Sequence, residues 1–422
     1  MNLSSWIDLS GVFAELPIII PLTPEGWKLP SLIGLCMCAA HIGPLLLIII
    51  RWRQNNRFSE IPYIYIIIII GIISCCIMAV SWQKTVVLFG RKRSIWLLST
   101  IFTLGFLDCT SSLVYFDYMK RFRARYLSAT FLGEAFTAIP PTLLAVLQGV
   151  GSEAICVQTA NSTIPEATYS QPRFSSTVFL FCIAGIVFLS LIAFILLRWT
   201  NIVAMADAAE KNPLNNIKSS IEIQQHETFP MNIDIQPTQL QHTSEMSFST
   251  LILLLSLLVF SGAILIGCLQ PLITYSLLPF GQKTFYYTSI LSPLAYPSAC
   301  FLSFRWPTIT TRTTIVETII GVSLCIFIVC TAWQSPCPWM ADTLYGSIVM
   351  VTTWFLATLI LAYIRIAIGN RIKMEWIDEK GMFYFGISTE LGVILGTIPM
   401  FFLVNIFQIF VERLPCQTYC KI

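Results

Sequence analysis

Apolar runs too long for a soluble core recur along this sequence, and they constrain the fold more than any other feature. Stretches of about 18 or more such residues read as membrane-spanning helices, because hydrocarbon offers an unpaired backbone group no partner. Eleven such spans are expected: Ser5–Leu22, Pro30–Ile50, Ile61–Trp82, Ser94–Tyr115, Tyr126–Val150, Phe174–Leu197, Phe248–Thr274, Tyr286–Phe304, Thr313–Trp333, Ala341–Ile364 and Gly381–Phe410. Composition agrees. Only 11% of the 422 residues are charged, 56% are hydrophobic, and the mean hydropathy is +0.75; a water-facing surface needs roughly 25% charge. The net charge of +3 gives no footprint for nucleic acid. No charged n-region precedes a cleavable apolar stretch, so no signal peptide is expected, and the first helix serves as the insertion signal. That first span is short, carries Asp8 and Glu15, and begins almost at the initiator Met, as if some N-terminal turns were missing.

Eleven spans put the termini on opposite sides. With the N-terminus in the cytosol, sixteen of the 25 Lys and Arg fall in cytosolic loops, which favours that orientation under the positive-inside rule. The cluster Arg91-Lys92-Arg93 argues against it. Four cysteines in polar segments, Cys156, Cys337, Cys416 and Cys420, then all face outside, where disulfides persist. Four cysteines allow three pairings, and sequence does not choose among them. The sequon at Asn161 also faces outside, as a glycosylation site would, while a second at Asn2 would be cytosolic and unused.

Three regions are expected: a six-helix bundle over 1–197, a polar and disordered cytosolic linker over 198–247, and a five-helix bundle over 248–422 ending outside. Two helical bundles that rock about a central site are a recurrent carrier design. The fold class is therefore an all-α polytopic membrane protein, resembling a major-facilitator-like or equilibrative-nucleoside-transporter-like carrier.

Charged side chains inside spans cost roughly 2.5–3.5 kcal/mol on insertion scales, so those retained should line a cavity or meet a partner. Asp8, Glu15, Asp108, Glu134 and Glu390 lie in apolar runs, and no intramembrane Lys or Arg is expected to pair them. Glu15, His41 and Glu134 are the candidates for proton coupling. Gln148, between Leu147 and Gly149, could serve a ligand or cap its helix. Trp6 and Trp354 lie away from the interfacial aromatic belts and could stack on a ring or simply pack. Ser10, Ser112 and Tyr115 could reach the same cavity.

Several local motifs carry a family resemblance. Ser5-Trp6 with Gly11 and Glu15-Leu16-Pro17, then Pro24-Glu25-Gly26-Trp27, open the chain. Phe131-Leu132-Gly133 leads to Leu147-Gln148-Gly149-Val150-Gly151, and Ala299-Cys300-Phe301-Leu302 follows. Ser335-Pro336-Cys337-Pro338-Trp339, Trp354, the stretch 391–401 and Cys416…Cys420 come next, in order. Together they resemble the eukaryotic riboflavin transporters. The resemblance implies uptake of riboflavin across the plasma membrane, with riboflavin as substrate and no cofactor. The chain departs from the family pattern at Ser10, Phe13 and Glu134, where Asn, Trp and Gln are usual.

A flavin needs an aromatic face, amides or carboxylates at its pyrimidine-like edge, and partners for its hydroxyl tail. The substrate-binding candidates are Trp6, Ser10, Phe13, Glu15, Ser112, Tyr115, Glu134, Gln148 and Trp354. A nucleoside or nucleobase carrier, or a transport-deficient receptor of the same fold, are the alternatives. No HExxH pair, GxSxG elbow or phosphate loop occurs, so an enzyme is not expected.

Overall fold

A computed structural model describes residues 4–54, 59–88, 90–118, 132–149, 155–157, 166–168, 171–200, 246–306, 309–376, 381–413 and 420. The described chain is nearly all helical. The N-terminal part holds α1 (Ile7–Leu22), α2 (Leu29–Ala40), α3 (Ile42–Gln54), α4 (Ile61–Ser81), α5 (Ile95–Tyr118), α6 (Ile139–Gln148) and α7 (Ser176–Trp199). The C-terminal part holds α8 (Phe248–Gly262), α9 (Leu269–Leu277), α10 (Gln282–Leu291), α11 (Ala295–Arg305), α12 (Thr311–Trp333), α13 (Leu344–Glu375) and α14 (Gly381–Phe401). Two short hairpins lie in loops: β1 (Val86–Leu88) with β2 (Arg91–Arg93), and β3 (Ile155–Val157) with β4 (Glu166–Thr168).

Lipid as solvent explains the side-chain distribution. On α4, Ile66, Ile69, Ile70, Ile73, Ile77 and Val80 are exposed, while Ile67, Ile68, Gly71, Ser74, Cys75 and Met78 are buried. The two sets alternate with helical period, and the small and polar residues turn inward. Hydroxyls are satisfied locally in the same way: Ser81 Oγ donates to the Ile77 carbonyl at 2.6 Å and Thr331 Oγ1 to that of Phe327 at 2.6 Å. Helix starts carry hydroxyl caps, with Thr343 accepting from the Gly346 amide at 3.0 Å and Ser175 from that of Val178 at 3.4 Å.

Eight helices among the described residues are long and apolar enough to cross a membrane, and they match eight of the expected spans. The other three are less regular. α1 has 16 residues with Pro17 and Pro21 inside it. The fifth span is described only from residue 132, where a 3-10 turn at Phe136–Ala138 leads into α6. The eighth is α10 and α11, broken by a 3-10 turn at Ser292–Leu294 that carries Pro293. The second span is also broken, at His41, because Pro44 has no amide hydrogen for the Ala40 carbonyl.

Between α8 and α9 the chain forms a π-helix, Ala263–Cys268, just before Pro271. α14 presses against it through glycines. A Cβ placed on Gly396 would stand 2.0 Å from the Ala263 carbonyl oxygen, and one on Gly267 would stand 2.5 Å from the Gly396 Cα. Only hydrogen fits at either position.

Outside the helices, Cys337 and Cys420 form a disulfide with Cα atoms 5.6 Å apart. Cys156 is disulfide-bonded as well. Cys416 and Asn161 lie outside the described residues, as does most of the expected linker. The ten cysteines of the apolar runs are free thiols.

Candidate functional site

α1 holds the centre of the site. Eleven of its sixteen residues are buried, so protein rather than lipid surrounds it. It packs on α5, α6 and α7, and also on α10 of the C-terminal part. Trp6, Ser10 and Phe13, spaced one and two turns apart on a single face, are only half-buried. This stripe is the open side of the first turns of the helix, whose far end at Pro21 and Leu22 is exposed.

Two residues beyond the stripe and on another face, Glu15 is fully buried, and its Oε2 accepts a hydrogen bond from Ser176 Oγ at 2.5 Å. Gln148, the last residue of α6, lies within hydrogen-bonding reach of Glu15 and donates through Nε2 to the Phe174 carbonyl at 3.2 Å. Gly149 follows at φ 75°, the left-handed turn that ends the helix. Gln148 thus ties α1 to the start of α7.

Tyr115 lies elsewhere. With Ser4, Ser5, Asp8, Asp108 and Ser111 it lines a small cavity closed by apolar residues of α4, α5 and α7. The space admits about one water. Asp8 and Asp108, each 3% exposed, are hydrogen-bonded to one another. A bond between two carboxyl groups needs a proton on one of them. Asp8 is about 10 Å along the helix from Glu15, so Tyr115 and Glu15 belong to separate polar clusters. The side chain of Ser112 is outside the described residues.

Glu134 corrects an expectation. It was expected to find no cation in the membrane, yet Arg365 Nη2 donates to its Oε1 at 3.1 Å. Hydropathy placed Arg365 in a cytosolic loop. Instead α13 runs on to Glu375, and residues 361–364 and 366–369 on both sides of Arg365 are buried. The helix outlasts its lipid-facing part because protein covers its end.

Glu390 has a neighbour too, His41, whose Nε2 lies 2.7 Å from the carboxylate Oε2. Trp354 is 3% exposed, and its Nε1 has no hydrogen-bond partner among the described residues. Gln270 Oε1, Thr274 Oγ1 and Ser289 Oγ are buried and unpartnered in the same sense. These C-terminal groups escaped the sequence reading, because neutral Ser, Thr and Gln in apolar runs look like ordinary helix residues. Unsatisfied buried polar atoms are scarce in folded proteins, so each of these is a group open to a further partner.

The fold and its enclosed polar clusters define a multi-pass helical membrane transporter. A crystal structure of a bacterial homologue of the human lysosomal transporter Spinster, inward-facing and unoccupied, is similar to this chain with a TM-score of 0.50. The match covers 95% of this chain and 78% of that one at 14% identity, and so speaks to the fold alone. The model of solute carrier family 52, riboflavin transporter, matches residues 1–412, and the chain belongs to that family. Riboflavin transporter 2 of Salmo salar is 29% identical over 99% of this chain and 97% of its own length. The family's member 3-A from Danio rerio is 28% identical over 100% and 97%, and the human member 3 is 26% identical over 99% and 97%.

Proposed function

We propose that this protein takes riboflavin into cells across the plasma membrane by alternating access between a six-helix and a five-helix bundle. Membership of the riboflavin transporter family along nearly the whole chain is the observation that carries the reading. In it, the isoalloxazine ring stacks against the half-open face of α1 formed by Trp6, Ser10 and Phe13, and Trp354 supplies an indole N–H from the other bundle. The unpartnered oxygens of Gln270 and Ser289 serve the ring edge and the ribityl hydroxyls. α10, which touches α1, α6 and α13, is the hinge element between the bundles. Its Tyr286 hydroxyl donates to the Ala145 carbonyl at 3.2 Å, while the Glu134–Arg365 pair joins the bundles at the other end. Both act as latches that open in turn. The N-terminus is cytosolic, the C-terminus is extracellular, eleven helices cross the bilayer, and Asn161 carries the glycan.

Labelled riboflavin uptake into cells expressing the full chain tests the proposal. Saturable uptake, competed by unlabelled riboflavin and not by nucleosides, is expected. Background uptake with normal surface expression would overturn it.

A further inference from the structure

His41, Cys109 and Glu390 come from three separate stretches of chain. Their ligand atoms all lie within 4.8 Å of one another. His41 sits at the break between α2 and α3, Cys109 on α5 and Glu390 on α14. His41 is 4% exposed and Cys109 is 0% exposed. The imidazole is oriented by its Nδ1, which lies 2.7 Å from the Met37 carbonyl oxygen. A carbonyl only accepts, so Nδ1 carries the hydrogen, and in the neutral ring Nε2 presents its lone pair to Cys109 and Glu390. A carbonyl holding the far ring nitrogen in this way is the usual second-shell support of a metal-binding histidine. Glu390 Oε2 is 2.7 Å from Nε2, a contact that holds one shared proton, and a metal ion entering the cluster takes that proton's place.

We propose that His41, Cys109 and Glu390 bind a Zn²⁺ ion between the second, fourth and eleventh spans. The donor set of one imidazole, one thiol and one carboxylate suits zinc and excludes Mg²⁺ and Ca²⁺, which take oxygen alone. Ligand atoms on a tetrahedral zinc stand about 3.5 Å apart, which small side-chain rotations reach from the present spread. As the ion enters, the Cys109 thiol and the His41–Glu390 pair each release one proton to solvent. The ion's two positive charges then balance one thiolate and one carboxylate. The loaded site is neutral, as a low-dielectric interior requires. Two ligands come from the N-terminal bundle and one from the C-terminal bundle, so bound zinc clamps the bundles together and stops transport. This last step rests on the carrier reading above; the binding does not.

The test uses the full chain, purified in detergent and stripped with a chelator. Zinc is titrated against a chromophoric competitor and counted by elemental analysis. Wild type is expected to hold one more equivalent than a His41→Ala/Cys109→Ser/Glu390→Gln triple variant. Cys109→Ser alone should weaken binding at least a hundredfold, and Cys330→Ser, at an exposed thiol, should change nothing. Because a variant can misfold, Co²⁺ is also added to wild type. A tetrahedral spectrum with a thiolate-to-cobalt band, displaced by Zn²⁺, is expected. Equal zinc in wild type and triple variant, or a cobalt spectrum without thiolate, would overturn the site. In cells, zinc should slow uptake by wild type and spare Cys109→Ser; uptake indifferent to saturating zinc would overturn the clamp. Absence of riboflavin uptake leaves the binding measurements readable.

Discussion

Arg365 and Glu134 stand 231 residues apart in sequence and 3.1 Å apart in space, and each comes from a different half of the chain. Removing one partner strands the other in a poorly solvated position. The cost is roughly 3–5 kcal/mol for a fully buried pair. Here the side chains are 26% and 18% exposed, so about 1–3 kcal/mol is expected. Arg365→Gln and Glu134→Gln should each lower the thermal midpoint of the solubilised protein and cut uptake by roughly tenfold. The exchanged pair Glu134→Arg/Arg365→Glu should regain part of both. A double variant no better than the sum of the singles would show that the two residues act independently.

The proposed stacking on Trp6 and hydrogen bond from the Trp354 indole make a second prediction. Trp6→Ala and Trp354→Ala should each raise the half-saturating riboflavin concentration by roughly five- to thirtyfold, about 1–2 kcal/mol. Surface expression should remain normal. Trp333, which is 63% exposed, is the control, and Trp333→Ala should leave the uptake curve in place. Unchanged half-saturation in both test variants would reduce Trp6 and Trp354 to packing residues.

The close approach of α14 to the π-helix at Ala263–Cys268 leaves no room for a methyl group. Gly396→Ala should cost about 1–3 kcal/mol or more through forced separation of the helices, read as a fall in thermal midpoint. Gly185→Ala, where a Cβ meets nothing within 4 Å, should be neutral or slightly stabilising. Equal behaviour of the two variants would contradict the packing.

The Cys337–Cys420 disulfide closes a loop of 83 residues. A link of that span stabilises by about 4.5 kcal/mol in the chain-entropy account. Cys420→Ser should lower the thermal midpoint in non-reducing buffer. On intact cells, an impermeant reductant followed by an impermeant alkylating reagent should label Cys337. Labelling only after permeabilisation would reverse the proposed orientation.

Eight of the expected spans were legible because lipid selects for long apolar runs regardless of what the helices do later. Trp6, Ser10 and Phe13 were singled out through the family motif, and they lie on one face of the helix. The partners were not. Arg365 reads as a loop residue because hydropathy marks where lipid ends, whereas α13 continues under a cover of other helices. Asp8 and Asp108, like His41 and Glu390, meet only through tertiary packing between residues a hundred or more positions apart. Tyr115 and Glu15 were expected around one cavity, but helical rise along α1 separates their clusters. Gln270 and Ser289 carried no signal, since an uncharged polar residue in a span ordinarily satisfies itself on its own backbone.

α1 is hemmed in by neighbours from far downstream, including α10, which ends at Leu291. α1 therefore meets this neighbour only once α10 has been made. During translation it must wait in the bilayer with Asp8 and Glu15 uncovered, until α5 brings Asp108 and α7 brings Ser176. Biogenesis, and not only the finished carrier, is thus a stage at which damage to this short segment would be felt.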